Sequence, residues 1–179
     1  MEFISRFKDR KDEIIALFSQ CFADADGPEE GALIETLVTG LLTKTKDDDL
    51  FVFSALQDGA IVGCIAFSRL RFAQDDRTVF LLSPVAVSTD LQRQRIGQRL
   101  LRFGLDTLRE QGVDVAITYG DPNYYSKVGF AQITEEIAQA PLPLSQPIGW
   151  LAQSLTDRPL DPLRGPSRCV QAFDTPNLW

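Results

Sequence analysis

The residues best suited to chemistry lie in one short polar run, Gln92-Arg93-Gln94-Arg95-Ile96-Gly97-Gln98. It follows the apolar stretch Val79–Val87 and leads into a segment where Ile96, Leu100, Phe103, Gly104 and Leu108 recur at helical spacing. Arg93, Arg95 and Arg99 fall in or beside the first turn of that helix, where unpaired amides point outward and the macrodipole is positive. Cations there cost roughly a few tenths of a kcal/mol each. An anion reverses the sign. Outward amides, a glycine that allows close approach to the backbone and several guanidinium groups together make a phosphate cradle. Solvated arginines beside an incidental Gly97 account for the same residues equally well.

The elements around this run would have to position it. Val79-Phe80-Leu81-Leu82-Ser83-Pro84-Val85-Ala86-Val87 reads as a strand buried on both faces. Pro84 has no N–H to give, so it marks a bulge or the end of pairing to a neighbour, leaving backbone groups near Val85 and Val87 available to a ligand. The helix stops near Gln111-Gly112, glycine being the usual left-handed terminator. A right-handed crossover then lays Val113–Tyr119 parallel to the first strand. Splaying of the two at Pro84 would open a cleft at their carboxyl ends, where open α/β sheets bind ligands.

Val85-Ala86-Val87 followed by Gln92-Arg93-Gln94-Arg95-Ile96-Gly97 resembles the acetyl-coenzyme A signature of the GCN5-related N-acetyltransferases, Gln/Arg-x-x-Gly-x-Gly/Ala. Gln92 and Gly97 match the first and last positions, whereas Arg95 stands where the middle glycine is usual. Its side chain has to swing outward. Gly120-Asp121-Pro122-Asn123-Tyr124-Tyr125-Ser126-Lys127-Val128-Gly129-Phe130 is similar to the segment after the fifth strand in the YhbS-like subgroup. The resemblance implies an α/β fold with a central mixed sheet, flanking helices and splayed fourth and fifth strands. It also implies acetyl-coenzyme A as cosubstrate, bound by Val85, Ala86, Val87, Gln92, Arg93, Gln94, Arg95, Ile96, Gly97, Gln98 and Tyr125. A pantetheine arm would thread beside Val85–Val87 as a pseudo-strand, and a backbone amide near Val85 would polarise the thioester carbonyl. In the family the phenol at the position of Tyr125 protonates the departing thiolate. Without the resemblance, Tyr124 and Tyr125 read as packing aromatics. Ser83 is a candidate for holding a water or the acceptor, and no residue announces itself as general base.

The rest of the chain fits one domain spanning residues 1–179. Glu2–Phe7 alternates like a first strand. Lys11–Ala23 forms a helix with Ile14, Ile15, Leu17, Phe18 and Phe22 on its apolar face, broken by Asp24-Ala25-Asp26-Gly27-Pro28. A second helix starts at Pro28 and turns Leu33, Ile34, Leu37, Val38 and Leu41 inward. Asp24, Asp26, Glu29 and Glu30 lie where such enzymes border the acceptor, although a solvated turn with favourable helix-start charges is the plainer account. Leu50–Leu56 and Ala60–Ser68 flank Gln57-Asp58-Gly59, a hairpin signal, and Arg69–Arg77 reads as a polar connection. Near the C-terminus, Gly149–Leu155 and Val170–Phe173 read as strands.

A net charge of −7 argues against a general nucleic-acid or anionic-membrane binder. The absence of histidine excludes His-based triads and His metal sites, and three cysteines without ligand spacing suggest neither zinc nor a disulfide framework. No metal is expected. With no signal-peptide pattern or stretch of membrane-spanning length, a cytoplasmic protein is expected; a homodimer is left open. The partners implied are acetyl-coenzyme A and a primary amine on a small molecule or protein, with an acyl-coenzyme A sensor that lacks turnover as the alternative.

Overall fold

A computed structural model describes all 179 residues. The strands are hydrogen-bonded in the order β1-β2-β3-β4-β5-β7-β6, with β8 paired to β3, where β1 is Glu2–Ile4, β2 Leu50–Gln57, β3 Ala60–Phe72, β4 Val79–Val87, β5 Val115–Tyr119, β6 Ala131–Gln132, β7 Trp150–Ser154 and β8 Ser167–Arg168. The helices are α1 Lys11–Asp26, α2 Pro28–Lys44, α3 Ile96–Glu110 and the single turn α4 Pro122–Tyr125. The chain divides into two compact units, one of residues 1–67 and 84–104, the other of residues 68–83 and 105–179. No helix is long and apolar enough to cross a membrane.

In the first unit the β2–β3 turn takes positive φ at both Asp58 (52°) and Gly59 (83°), the combination that lets a two-residue hairpin follow the twist of its strands. Helix α1 runs three residues past the expected stop at Ala23. The break is made by Gly27, at φ 99°, whose N–H still reaches the Ala23 carbonyl at 2.9 Å. Pro28 then occupies the first position of α2, where a missing N–H costs nothing. The two helices close tightly because Gly31 lies against Ala23 and the Ser19 carbonyl; a Cβ on Gly31 would come within 2.8 Å of both. On α2 the inward face includes Leu42, while Leu33, expected inside, is half-buried. Helix α3 packs through Gly104, whose missing Cβ leaves room for Ile65, Phe53 and Phe67. Phe103 stacks on Phe3 at 5.5 Å and meets the edge of Phe53 at 5.7 Å.

In the second unit the parallel pairing of β4 with β5 runs from Val79↔Val115 to Leu82↔Thr118, and the Thr118 hydroxyl adds a 2.9 Å bond to the Leu82 carbonyl. The ladder stops there, two residues before Pro84. Strand β5 begins at Val115 rather than Val113, and at its entry the Asp114 carboxylate accepts the Thr78 N–H at 2.7 Å. The expected connection from Arg69 is partly strand: Leu70 and Phe72 are buried, and Arg71 and Phe72 pair with β8. Val170–Phe173 is not a strand. A short 3₁₀ turn at Gln171–Phe173 buries Phe173 beside Trp179, whose indole donates to the Phe173 carbonyl at 2.9 Å.

Gly104→Ala tests the approach of α3. The new methyl would stand 2.9–3.1 Å from three large side chains, so stability should fall by about 1–2 kcal/mol despite alanine's better helix propensity. A lower urea midpoint with an unchanged slope is the expected reading.

Candidate functional site

The first unit carries the polar run. The first main-chain bond of α3 joins Arg99 N–H to the Arg95 carbonyl at 3.1 Å. The amides of Ile96, Gly97 and Gln98 therefore precede the intrahelical ladder and have no partner within it. Arg93 and Arg95 both lie in the left-handed region, at φ 65° and 63°. Such a conformation costs a non-glycine residue about 1–2 kcal/mol. The side chains of Gln92, Arg93, Gln94 and Arg95 are exposed, Gln98 is half-buried, and Ile96 and Gly97 are buried. Arg99 lies over the ring of Phe3 at 5.4 Å. Arg95, which stands where the signature it resembles has its middle glycine, thus takes the left-handed conformation that glycine favours.

Strand β4 leads into this run with its two edges differently engaged. Ser88 donates its N–H to the Val62 carbonyl at 2.8 Å, and the Ala86 carbonyl lies 3.4 Å from where a Gly63 Cβ would be, so both face β3. Alternation along a strand then turns the main-chain groups of Val85 and Val87 to the other edge. There the Val87 carbonyl accepts from Gln92 Nε2 at 3.2 Å and from the Cys21 thiol at 3.4 Å. Sequence reasoning missed both contacts, since neither partner's spacing signals them. Burial foremost, then the charge of Asp24, pushes the Cys21 thiol above its ordinary value against an opposing bond from the Thr89 backbone. It stays a proton-bearing donor. Asp24 accepts from Thr89 Oγ1 at 2.7 Å and from Gln20 at 2.6 Å, while Asp26 and Glu29 are exposed.

The second unit carries Tyr125 and Ser83, the latter half-buried just after the last β4–β5 pair. Asp121 caps α4 by accepting the Asn123 N–H at 2.9 Å, and Pro122 opens the turn, so one tight bend presents both tyrosines. The Tyr125 ring is gripped on several sides. Tyr124 and Phe130 meet it edge-on at 5.1 and 5.9 Å, and a Cβ on Gly120 would lie 2.6 Å from Cε2. Burial foremost raises the phenol's pKa well above the ordinary tyrosine value; Tyr124 and Asp121 push the same way, and a hydrogen bond with Thr118 opposes them. The group remains protonated throughout the neutral range.

The family model described as Acetyltransferase (GNAT) family matches residues 11–130, which include both the polar run and the Tyr125 turn. The chain belongs to that family. As a GNAT protein it is an acyltransferase, and its relatives agree. It is 31% identical over 144 residues to the uncharacterized N-acetyltransferase YjhQ of Escherichia coli K12, covering 78% of this chain and 79% of that protein. YhbS of the same organism is 34% identical over 73 residues, 41% of this chain and 44% of the relative. Among solved structures, E. coli YhbS in complex with CoA superposes with a TM-score of 0.76 at 24% identity, over 97% of this chain and 92% of that one. A Brucella melitensis GNAT acetyltransferase in complex with acetyl-CoA gives 0.71 at 24% identity, over 97% of both. The mixed sheet flanked by helices is therefore the family fold, and the YhbS-like affiliation expected from the Gly120–Phe130 segment holds.

Arg95→Gly isolates the cost of the left-handed backbone. Relief of the φ 63° conformation, less glycine's extra unfolded-state entropy, should raise stability by about 0.5–1 kcal/mol. Thermal denaturation would show it as a higher Tm.

Proposed function

We propose that this GNAT protein transfers the acetyl group of acetyl-coenzyme A to a primary amine. The observation that carries the reading is the start of α3, where three amides outside the helix ladder follow a loop of exposed guanidinium side chains. Those groups fit a diphosphate in charge and in hydrogen-bond sense. The YhbS and Brucella structures, solved with CoA and acetyl-CoA, support the choice of cosubstrate.

When bound, the cosubstrate supplies an acetyl thioester that a neutral amine attacks, the C–N bond forming as the C–S bond breaks. The main chain of Ile96, Gly97 and Gln98 and the side chains of Arg93 and Arg95 hold the diphosphate. The Val85 amide, on the β4 edge away from β3, donates to the carbonyl oxygen as negative charge develops there. Tyr125 gives its phenolic proton to the departing sulfur and recovers one from solvent. Its raised pKa keeps that proton available at the pH where an amine can be neutral. The amine's own proton leaves to a carboxylate through water or to bulk solvent, and Ser83 serves by orienting the water or the acceptor. The three unpaired cysteines support a cytoplasmic setting.

One observation favours a second reading, an acyl-coenzyme A sensor without turnover: Arg95 occupies the glycine position with its carbonyl as the first acceptor of α3. Calorimetry with CoA and acetyl-CoA, followed by thiol release against a panel of primary amines, separates the two. Binding with amine-dependent thiol release is the expected result, and binding that no amine converts to turnover would favour the sensor. Tyr125→Phe should lower turnover by about 100-fold and leave CoA affinity within about twofold. An unchanged rate would remove Tyr125 from the acid role. Because the phenol's pKa is raised, turnover should also show no alkaline loss attributable to Tyr125 until well above the ordinary tyrosine range.

A further inference from the structure

We propose that Gln153 is a positioning residue for the reaction, holding the turn that carries Tyr125 through a side-chain bond to the Val128 carbonyl. The inference rests on Tyr125 being the proton donor. Gln153 lies on β7 after the buried Trp150, Leu151 and Ala152 and keeps only 9% of its surface exposed. A buried amide is costly unless both of its ends are bonded. Here both are. Nε2 donates to the Val128 carbonyl at 3.0 Å, and Oε1 accepts from Arg109 Nη2 at 3.2 Å. Arg109 can only donate and a carbonyl can only accept, so the partners fix which way the amide faces. Arg109 is itself held by Asp106 at 2.7 Å.

The bond to Val128 ties this turn to β7. Its main-chain bonds, Gly129 N–H to Ser126 O and Phe130 N–H to Tyr125 O, close it on itself. Sheet pairing starts only at Ala131↔Ala152, one residue short of Gln153. The side chain of Gln153 therefore reaches past the end of the ladder to the closed loop. The fit is close: Gly129 sits at φ 96°, and a Cβ there would lie 3.1 Å from Gln153 Oε1. Since Tyr125 both opens the loop and packs on Phe130, motion of the loop moves the phenol.

The test labels the protein with 3-fluorotyrosine and reads fluorine NMR. The chain has three tyrosines; Tyr125→Phe identifies the Tyr125 line, and Tyr119, bonded to Ser145 and Gln146, is the internal control. Gln153→Leu removes both bonds, whereas Gln153→Glu keeps an acceptor for Arg109 and loses the donor to Val128. Both should shift or broaden the Tyr125 line and leave the Tyr119 line and CoA affinity unchanged. Thiol release from acetyl-CoA should fall about tenfold, with no further loss when Gln153→Leu is added to Tyr125→Phe. Arg109→Ala, at an exposed side chain, should shift the same line and covers the case in which a buried substitution does not fold. An unmoved Tyr125 line in the folded variants, or a rate slowed by Tyr125→Phe but not by the Gln153 changes, would overturn the positioning role alone. A rate untouched by Tyr125→Phe would sink the acid assignment and this inference with it.

Discussion

A strand can offer each main-chain group to one edge only, and this constraint shapes the first unit. β4 gives the groups of Ala86 and Ser88 to β3, which leaves Val85 and Val87 to whatever lies along the other edge. The β4–β5 ladder ends at Leu82↔Thr118, well before either residue. Which main-chain groups that edge keeps free follows from where pairing stops.

The passage from β4 into α3 meets a second constraint. A short loop has to bring the chain to the helix with its first amides outward, and it does so by holding Arg93 and Arg95 left-handed. Two such residues cost about 2–4 kcal/mol together if neither is offset, a large part of a single domain's stability. Gln92, within the bend, and Cys21, on α1, provide part of the restraint by both donating to the Val87 carbonyl where the bend begins. Local strain of this kind persists where surrounding contacts over-determine the backbone. Around Tyr125 the means are different: a cap, a proline, a glycine under the ring and two aromatic edges fix the side chain without left-handed arginines.

Much of this was legible in the amino-acid order because it is encoded locally. Asp58-Gly59 specified its hairpin, Pro28 the start of α2 and Gly112 the end of α3, each through backbone preference alone. At the end of α1, Asp24 and Asp26 argue for a loop, whereas Gly27 decides the stop. β8 depends on distant chain, and the turn at Gln171–Phe173 on the packing of Phe173 against Trp179, which residue type does not signal. The contacts of Cys21 with Val87 and of Gln153 with Val128 depend on distant chain as β8 does. A glutamine carries no sign of which carbonyl it will meet. The left-handed arginines were hidden more deeply, because residue type argued for the opposite conformation.

The Val87 carbonyl has a consequence for whatever extends along that rim of β4. Both of its lone pairs are engaged, by a thiol and by a carboxamide, while the amide of the same residue points to the same side. A guest chain is thus met by a hydrogen to be received and by an oxygen already spoken for. A molecule pairing along this rim would gain that oxygen only by displacing Gln92 or Cys21.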